Sequence, residues 1–69
     1  MSTNMDQLRK KMADKGISNE DMARRMGIDA STFYRKMKSD GVSFTVGQMH
    51  LIADILDLSA SEASSIFLW

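Results

Sequence analysis

The sequence predicts an all-α fold in which five short helices form one compact domain over residues 1–69. Three observations lead to this prediction. The chain contains no proline, the residue that most strongly interrupts helices. Apolar residues recur at spacings of three and four, which is the period of a helix with one buried face. A Ser, Thr or Asp that can cap a helix precedes each apolar run, and glycine follows the first two.

Capping residues and glycines set the limits of the predicted helices. A side-chain oxygen at the N-cap accepts a hydrogen bond from a free N–H of the first turn. Glycine readily takes the left-handed conformation that ends a helix, and Gly16 and Gly27 end the first two helices. The candidate N-caps are Thr3, Ser18, Asp29, Thr45 and Ser59. The predicted helices span residues 4–15, 19–26, 30–38, 46–57 and 60–69.

The fourth helix has the strongest start signal. Thr45 and Gln48 match a capping box, and Phe44 and Met49 stand where a hydrophobic staple would hold the chain entering the helix. A similar pattern of Ser followed by an acid precedes the second and fifth helices, at Ser18–Asp21 and Ser59–Glu62. The stripes expected to face the core are Met5, Leu8 and Met12; Met22, Ala23 and Met26; Phe33 and Met37; Met49, Ile52, Ala53 and Leu56; and Ala63, Ile66 and Phe67. The fourth helix has a second stripe, Leu51, Ile55 and Leu58.

Composition excludes several classes of site. The chain has no cysteine and one histidine, which excludes disulfides and Cys- or His-rich metal sites. No nucleophile elbow, phosphate loop or calcium loop is present. His50 and Asp54 are four residues apart, and we interpret them as a surface helix pair rather than a catalytic dyad. We therefore expect no enzymatic activity, cofactor, metal or small-molecule ligand.

Apolar runs and charge indicate where the protein works. The longest apolar stretch, residues 66–69, is too short to span a membrane, and no secretory signal precedes the domain. We therefore expect a cytoplasmic protein. Residues 1–40 carry nine basic and six acidic side chains, a net charge of +3, whereas residues 41–69 carry no base and three acids. A basic working half and an apolar structural half explain this asymmetry, although chance alone can produce a difference of this size.

The informative segment is residues 19–38, which reads as a helix, a three-residue turn beginning at Gly27, and a second helix. Ala23 stands four residues before Gly27. Because its side chain is small, the second helix of the unit can cross closely over the first. The apolar contacts that would fix their angle are Met22, Met26, Ile28 and Phe33. Such a unit leaves one helix free to enter a DNA major groove. A plain helical hairpin would share several of these features, and only their combination in phase is specific.

These residues resemble the phage repressor and Cro-type helix-turn-helix family, the lambda-repressor-like DNA-binding domains. The resemblance covers nearly the whole chain and implies a dimeric, sequence-specific transcriptional regulator, a repressor of the phage or prophage type, that binds double-stranded DNA. Two positions depart from the family pattern. Lys36 stands where an aliphatic residue is usual, so that Met37 takes the inward position, and Asn19 replaces a frequent Gln.

The resemblance also implies roles for individual residues. Four positions on the third helix would face base edges: Ala30, Ser31, Tyr34 and Arg35. Arg35 is the main candidate, because arginine pairs with guanine through two hydrogen bonds. The implied phosphate contacts are Ser18, Asn19, Lys36, Lys38, Ser39 and Ser43. Arg35 can alternatively be a surface charge, and we interpret Arg24, Arg25, Lys10 and Lys11 as solvated charges.

The C-terminal half, residues 41–69, is expected to complete the core and to form a homodimer. The candidate interface residues are Ile55, Leu58, Ile66, Phe67, Leu68 and Trp69. These large apolar side chains are many for so small a domain to bury, although the fifth helix can instead complete the monomer core. The alternative function is a helical protein–protein interaction module that does not bind DNA. The neutral overall charge supports this alternative, whereas Arg35 and its basic neighbours oppose it.

Overall fold

The computed structural model describes residues 4–39 and 44–67. Within these ranges the chain forms five helices and no strand. The helices are α1 (Met5–Lys15), α2 (Asn19–Met26), α3 (Ala30–Lys38), α4 (Val46–Ile55) and α5 (Ala60–Phe67). Helix α2 packs against α3 and α4, and α1 packs against α5. None of the described helices is long and apolar enough to cross a bilayer.

The core is built from every helix, as the apolar stripes predicted. The buried residues are Met5, Leu8, Met12, Met22, Ala23, Phe33, Met37, Phe44, Ile52, Leu56, Ala63, Ile66 and Phe67. No polar side chain is buried within the described ranges, so the core holds together by apolar burial alone. Phe44 contacts Phe33 with ring centroids 5.7 Å apart, which joins α3 to the residues just before α4.

Most predicted caps are present, and two predictions are wrong. Ser18, Thr45 and Ser59 accept hydrogen bonds at the starts of α2, α4 and α5. At α1 the cap is Asn4 rather than Thr3, which lies outside the described residues: the Asn4 side chain accepts from the Gln7 N–H at 3.2 Å.

Asp29 occupies the N-cap position of α3, but its side chain makes no capping hydrogen bond. The residue is exposed, so its carboxylate can stay hydrated instead. The start of α3 is therefore fixed by backbone geometry and by the packing of Phe33.

Helix ends explain the one large difference in helix length. At Gly16 and Gly27 the backbone is left-handed. Each following residue returns its N–H to a carbonyl five residues earlier, at 2.9 and 3.0 Å. Helix α4 ends in the same way, two residues earlier than predicted, because Asp57 takes the left-handed conformation and the Leu58 N–H binds the Ala53 carbonyl at 2.9 Å.

Polar contacts help to hold α5 on α1 and its N-cap residue. The Asn4 N–H donates to the Ile66 carbonyl at 2.7 Å, and the Ser65 hydroxyl donates to Gln7 Oε1 at 3.0 Å. The Lys11 ammonium forms an ion pair with Glu62. This contact raises the pKa of Lys11 and lowers that of Glu62 to about 2, with the Ser59 N–H adding to the effect on Glu62.

Candidate nucleic-acid interface

The unit formed by α2, the turn and α3 has the packing that a fixed crossing angle requires. Met22 and Ala23 on α2 and Phe33 on α3 are buried between the helices and the rest of the core. The small Ala23 side chain permits close approach of the two helices. Gly27 turns the chain, and the partly buried Met26 and Ile28 pack against the core on either side of it. The predicted apolar contacts of this unit are thus confirmed.

The rotation of α3 is set by its two inward residues. Phe33 and Met37 are buried, one turn apart. The four residues expected to face base edges are consequently all exposed: Ala30, Ser31, Tyr34 and Arg35. Residues at positions i, i+1, i+4 and i+5 share one side of a helix, so these four form one continuous outer face. Lys38, one turn after Tyr34, is exposed on the same side, and we call these five residues the α3 outer face.

Lys36 shows how the chain accommodates its departure from the family pattern. The side chain is half-buried rather than turned into the core. Its Nζ lies 5.9 Å from the centroid of the Phe44 ring, a distance typical of a cation–π contact. Met37 fills the inward position, as the sequence predicted.

Charge distinguishes α3 from α1 and α2. Helix α3 contains three bases and no acid. On α1 and α2, four of the bases form ion pairs with Asp6, Glu62 or Asp21: Arg9, Lys11, Arg24 and Arg25. Arg35 and Lys38 make no ion pair with any carboxylate in the described part of the chain. Because no carboxylate of residues 4–39 and 44–67 pairs with these two bases, the exposed side of α3 carries positive charge.

The start of α2 suits a phosphate contact in part. The Ser18 hydroxyl oxygen accepts from the Asp21 N–H at 3.1 Å, which leaves its proton available to donate. Asn19 is exposed beside it. Glu20 and Asp21 in the same turn oppose an anion, but Arg24 and Arg25 both pair with Asp21 and offset its charge.

The remaining candidate phosphate contacts differ in their surroundings. Lys38 stacks on Tyr34, with its Nζ 5.3 Å from the ring centroid. The Ser39 hydroxyl donates to the Lys36 carbonyl at 2.8 Å, so a phosphate would have to compete for that proton. Ser43 lies outside the described residues. The stacking of Lys38 on Tyr34 was not predicted, although their i, i+4 spacing is a signal for it.

The candidate dimer residues separate into three groups. Ile66 and Phe67 are buried in the core of the single chain, where they complete the fold. Ile55 and Leu58 are partly buried, and Leu68 and Trp69 lie outside the described residues. Two exposed apolar residues were not among the candidates: Val46 is 66% exposed and Leu51 is 37% exposed.

No group of His, Asp and Glu side chains in residues 4–39 and 44–67 is arranged to hold a metal ion. The surface that stands out chemically is therefore the basic α3 outer face.

Comparison with known families agrees with this geometry. The family profile of the Cro/C1-type helix-turn-helix DNA-binding domain matches residues 7–64, which include all of α2, the turn and α3. No curated protein and no solved structure gives a significant match. The matched residues span most of the chain, and the family they define is one of DNA-binding transcription regulators. The chain therefore belongs to the family of Cro/C1-type helix-turn-helix DNA-binding domains.

Proposed function

We propose that the protein is a sequence-specific transcriptional repressor of the phage type that binds a two-fold symmetric operator as a homodimer. The observation that supports this most is the α3 outer face, which is exposed, continuous and free of acids. A single helix fits the major groove, which is about 12 Å wide. Bound there, the protein would compete with the transcription machinery for the same DNA.

Arg35 is the proposed main reader of sequence. Its guanidinium is exposed and has no carboxylate partner in the described ranges, so binding to a base requires no ion pair to be broken. Arginine donates two parallel hydrogen bonds to N7 and O6 of guanine. The Ala30 methyl group offers an apolar contact, and Ser31 can donate to or accept from several bases.

Phosphate contacts would set the register of α3 in the groove. Lys36 and Lys38 supply positive charge at the C-terminal end of α3. Ser18 and Asn19 lie at the start of α2, where exposed N–H groups also favour an anion. Contacts of this kind orient the protein on the duplex without selecting a sequence.

A dimer would supply the affinity that one small domain lacks. Two recognition helices about 34 Å apart read two half-sites, and linkage makes the second contact intramolecular. Leu51 and Ile55 on α4 and Leu58 just after it support an interface there, because Leu51 is exposed and the other two are only partly buried. Leu68 and Trp69, which lie outside the described residues, are proposed interface residues on their apolar character alone.

The experiment that tests this function is a selection of binding sites from random duplex DNA, carried out in parallel with wild type and Arg35→Ala. We expect the wild type to enrich a two-fold symmetric site and the variant to lose preference at one base pair in each half-site. Enrichment of an asymmetric site would contradict the symmetric dimer. If no site were enriched even at low salt, where phosphate contacts are strongest, the protein-interaction module would replace this proposal.

A further inference from the structure

Tyr34 and Lys38 form a stacked pair on the α3 outer face. The Lys38 Nζ lies 5.3 Å from the centroid of the Tyr34 ring, within the range of a cation–π interaction. The residues are one helical turn apart, so their side chains meet on one side of the helix. Tyr34 remains 53% exposed. The ring is thus held by a cation and is still accessible to a partner.

Within the described residues, the Lys38 ammonium group contacts the Tyr34 ring and no carboxylate. Helix α3 itself contains no acid. An exposed tyrosine without such a neighbour would exchange between rotamers. A cation over one face of the ring favours the rotamer in which the two side chains touch.

The stack points toward the part of α3 that reads bases. Long side chains on a helix lean toward its N-terminus. Lys38 accordingly lies over the Tyr34 ring, and the same tendency would direct Tyr34 toward Ala30 and Ser31. Both of those residues are small and exposed, and neither can crowd the ring. The N-terminal residues of a recognition helix are those that reach base edges.

We propose, on the basis of the DNA-binding function proposed above, that Lys38 positions the Tyr34 ring against the C5-methyl group of a thymine. That methyl is the apolar group that the major groove displays, and the tyrosine ring is the large apolar surface of the α3 outer face. Lys38 thereby affects sequence discrimination through Tyr34, in addition to attracting phosphate.

Lys36 provides a matched control on the same helix. Its Nζ also lies over an aromatic ring, at 5.9 Å from the Phe44 centroid. Phe44 is buried in the core and cannot touch DNA. Lys36 can therefore contribute to phosphate attraction, but it has no base-reading ring to position.

The test compares thymine with uracil, which lacks only the methyl group, at each thymine of the selected operator. The dissociation constants are measured for wild type and five variants, which are Tyr34→Ala, Lys38→Met, the double variant that combines these two changes, Lys38→Arg and Lys36→Met. For wild type we expect uracil to weaken binding roughly fourfold at one thymine per half-site. We define the uracil ratio as the dissociation constant for uracil DNA divided by that for thymine DNA. Tyr34→Ala should bring this ratio to one, Lys38→Met should reduce it to below about twofold, and Lys38→Arg should keep the wild-type value.

The controls separate positioning from charge. Lys36→Met should weaken binding to thymine DNA and uracil DNA equally. The double variant should have the same uracil ratio as Tyr34→Ala alone, because Lys38 acts through the tyrosine ring. The inference would be overturned if Lys38→Met kept the wild-type uracil ratio. It would also be overturned if Tyr34→Ala left the uracil ratio unchanged at every thymine. Relaxed preference in Arg35→Ala on the same DNA would show that the function proposed for α3 still holds, so the two failures are distinguishable.

Discussion

At the level of single residues, two buried side chains determine which side chains of α3 are exposed to solvent. Phe33 and Met37 are buried, and this places Arg35 outside with no carboxylate of the described residues to neutralise it. An arginine held in this way keeps its donors for a partner. Among the described residues other than glycine, Asp57 alone has a positive φ, in the left-handed conformation that glycine takes at the ends of α1 and α2.

Replacing Arg35 should affect affinity and specificity together. We expect Arg35→Ala to cost about 1–3 kcal/mol of binding to the selected operator. Arg35→Lys is the matched control: it keeps the charge, but it cannot form two parallel hydrogen bonds with guanine. Its preference at that base pair should therefore also relax. Fluorescence anisotropy on operator and single-base variants measures both effects, and an equal loss on every sequence would contradict the base-reading role.

Replacing Asp57 should stabilise the fold. Asp57→Gly removes the steric cost of a side chain at positive φ, together with a negative charge near the C-terminus of α4, where the helix dipole opposes it. We expect a gain of about 1 kcal/mol in the free energy of unfolding. Asp57→Asn removes only the charge and should give a smaller gain. Thermal denaturation followed by circular dichroism tests this, and an unchanged or lower Tm for Asp57→Gly would contradict it.

At the scale of the element, each helix start has its own source of stability. Helix α4 has a complete capping box, in which the Gln48 N–H donates to Thr45 Oγ1 and the Thr45 N–H donates to Gln48 Oε1, both at 3.0 Å. Helix α3 has an Asp at the same position without any side-chain cap. The recognition helix therefore depends on packing, whereas α4 also depends on local hydrogen bonds.

This contrast predicts unequal effects of two N-cap substitutions. Thr45→Ala should lower the free energy of unfolding by about 1 kcal/mol, because an N–H of the first turn loses its acceptor. Asp29→Ala should cost only a few tenths of a kcal/mol, through the lost charge near the helix N-terminus. Urea denaturation of both variants measures the difference. Equal losses would show that Asp29 caps α3 in solution.

At the scale of the whole molecule, contacts between the first and last helices close the domain. Asn4, Gln7 and Lys11 on the N-terminal side meet Ile66, Ser65 and Glu62 on α5. Both α1 and α5 also bury apolar side chains in the shared core. On the outside, Leu51 is exposed and Ile55 and Leu58 are partly buried, and these residues form the proposed dimer interface.

Acid should weaken the fold through Glu62. Its pKa in the folded protein is about 2, below the ordinary 4.5. The stability that this carboxylate contributes is therefore complete above pH 4.5 and is lost as the pH falls toward 2. Glu62→Gln keeps a capping residue at that position but removes the titrating group. We expect the Tm values of wild type and variant to converge as the pH falls over this range, and a constant difference would contradict the assignment.

Disrupting the proposed interface should separate the dimer without unfolding the chain. Leu51→Asp changes a 37% exposed residue, so the core stays intact while the apolar stripe gains a charge. We expect sedimentation equilibrium to show half the wild-type mass at micromolar concentration. Val46→Asp is the control, since Val46 is exposed on another side of α4 and should leave the mass unchanged. A monomeric wild type, or a dimeric Leu51→Asp, would contradict the interface.

Local sequence patterns were sufficient to predict five helices, the bounds of α2 and α3, and the inward positions of Phe33 and Met37, as observed in the described residues. They were sufficient because caps, glycine turns and the helical period depend on residues within one or two turns of each other. The residue roles in DNA binding followed from family resemblance, and those in dimerisation followed from the number of large apolar residues in the C-terminal half. Both remain predictions.

Contacts between residues that are far apart in the sequence could be identified only from the folded structure. Asn4 caps α1 and also binds the Ile66 carbonyl at the other end of the chain. Lys36 turns to the Phe44 ring, and the ion pair of Lys11 with Glu62 joins α1 to α5. Ile66 and Phe67 lie in the core of the single chain, because packing of α5 on α1 gives them apolar neighbours that no local pattern specifies.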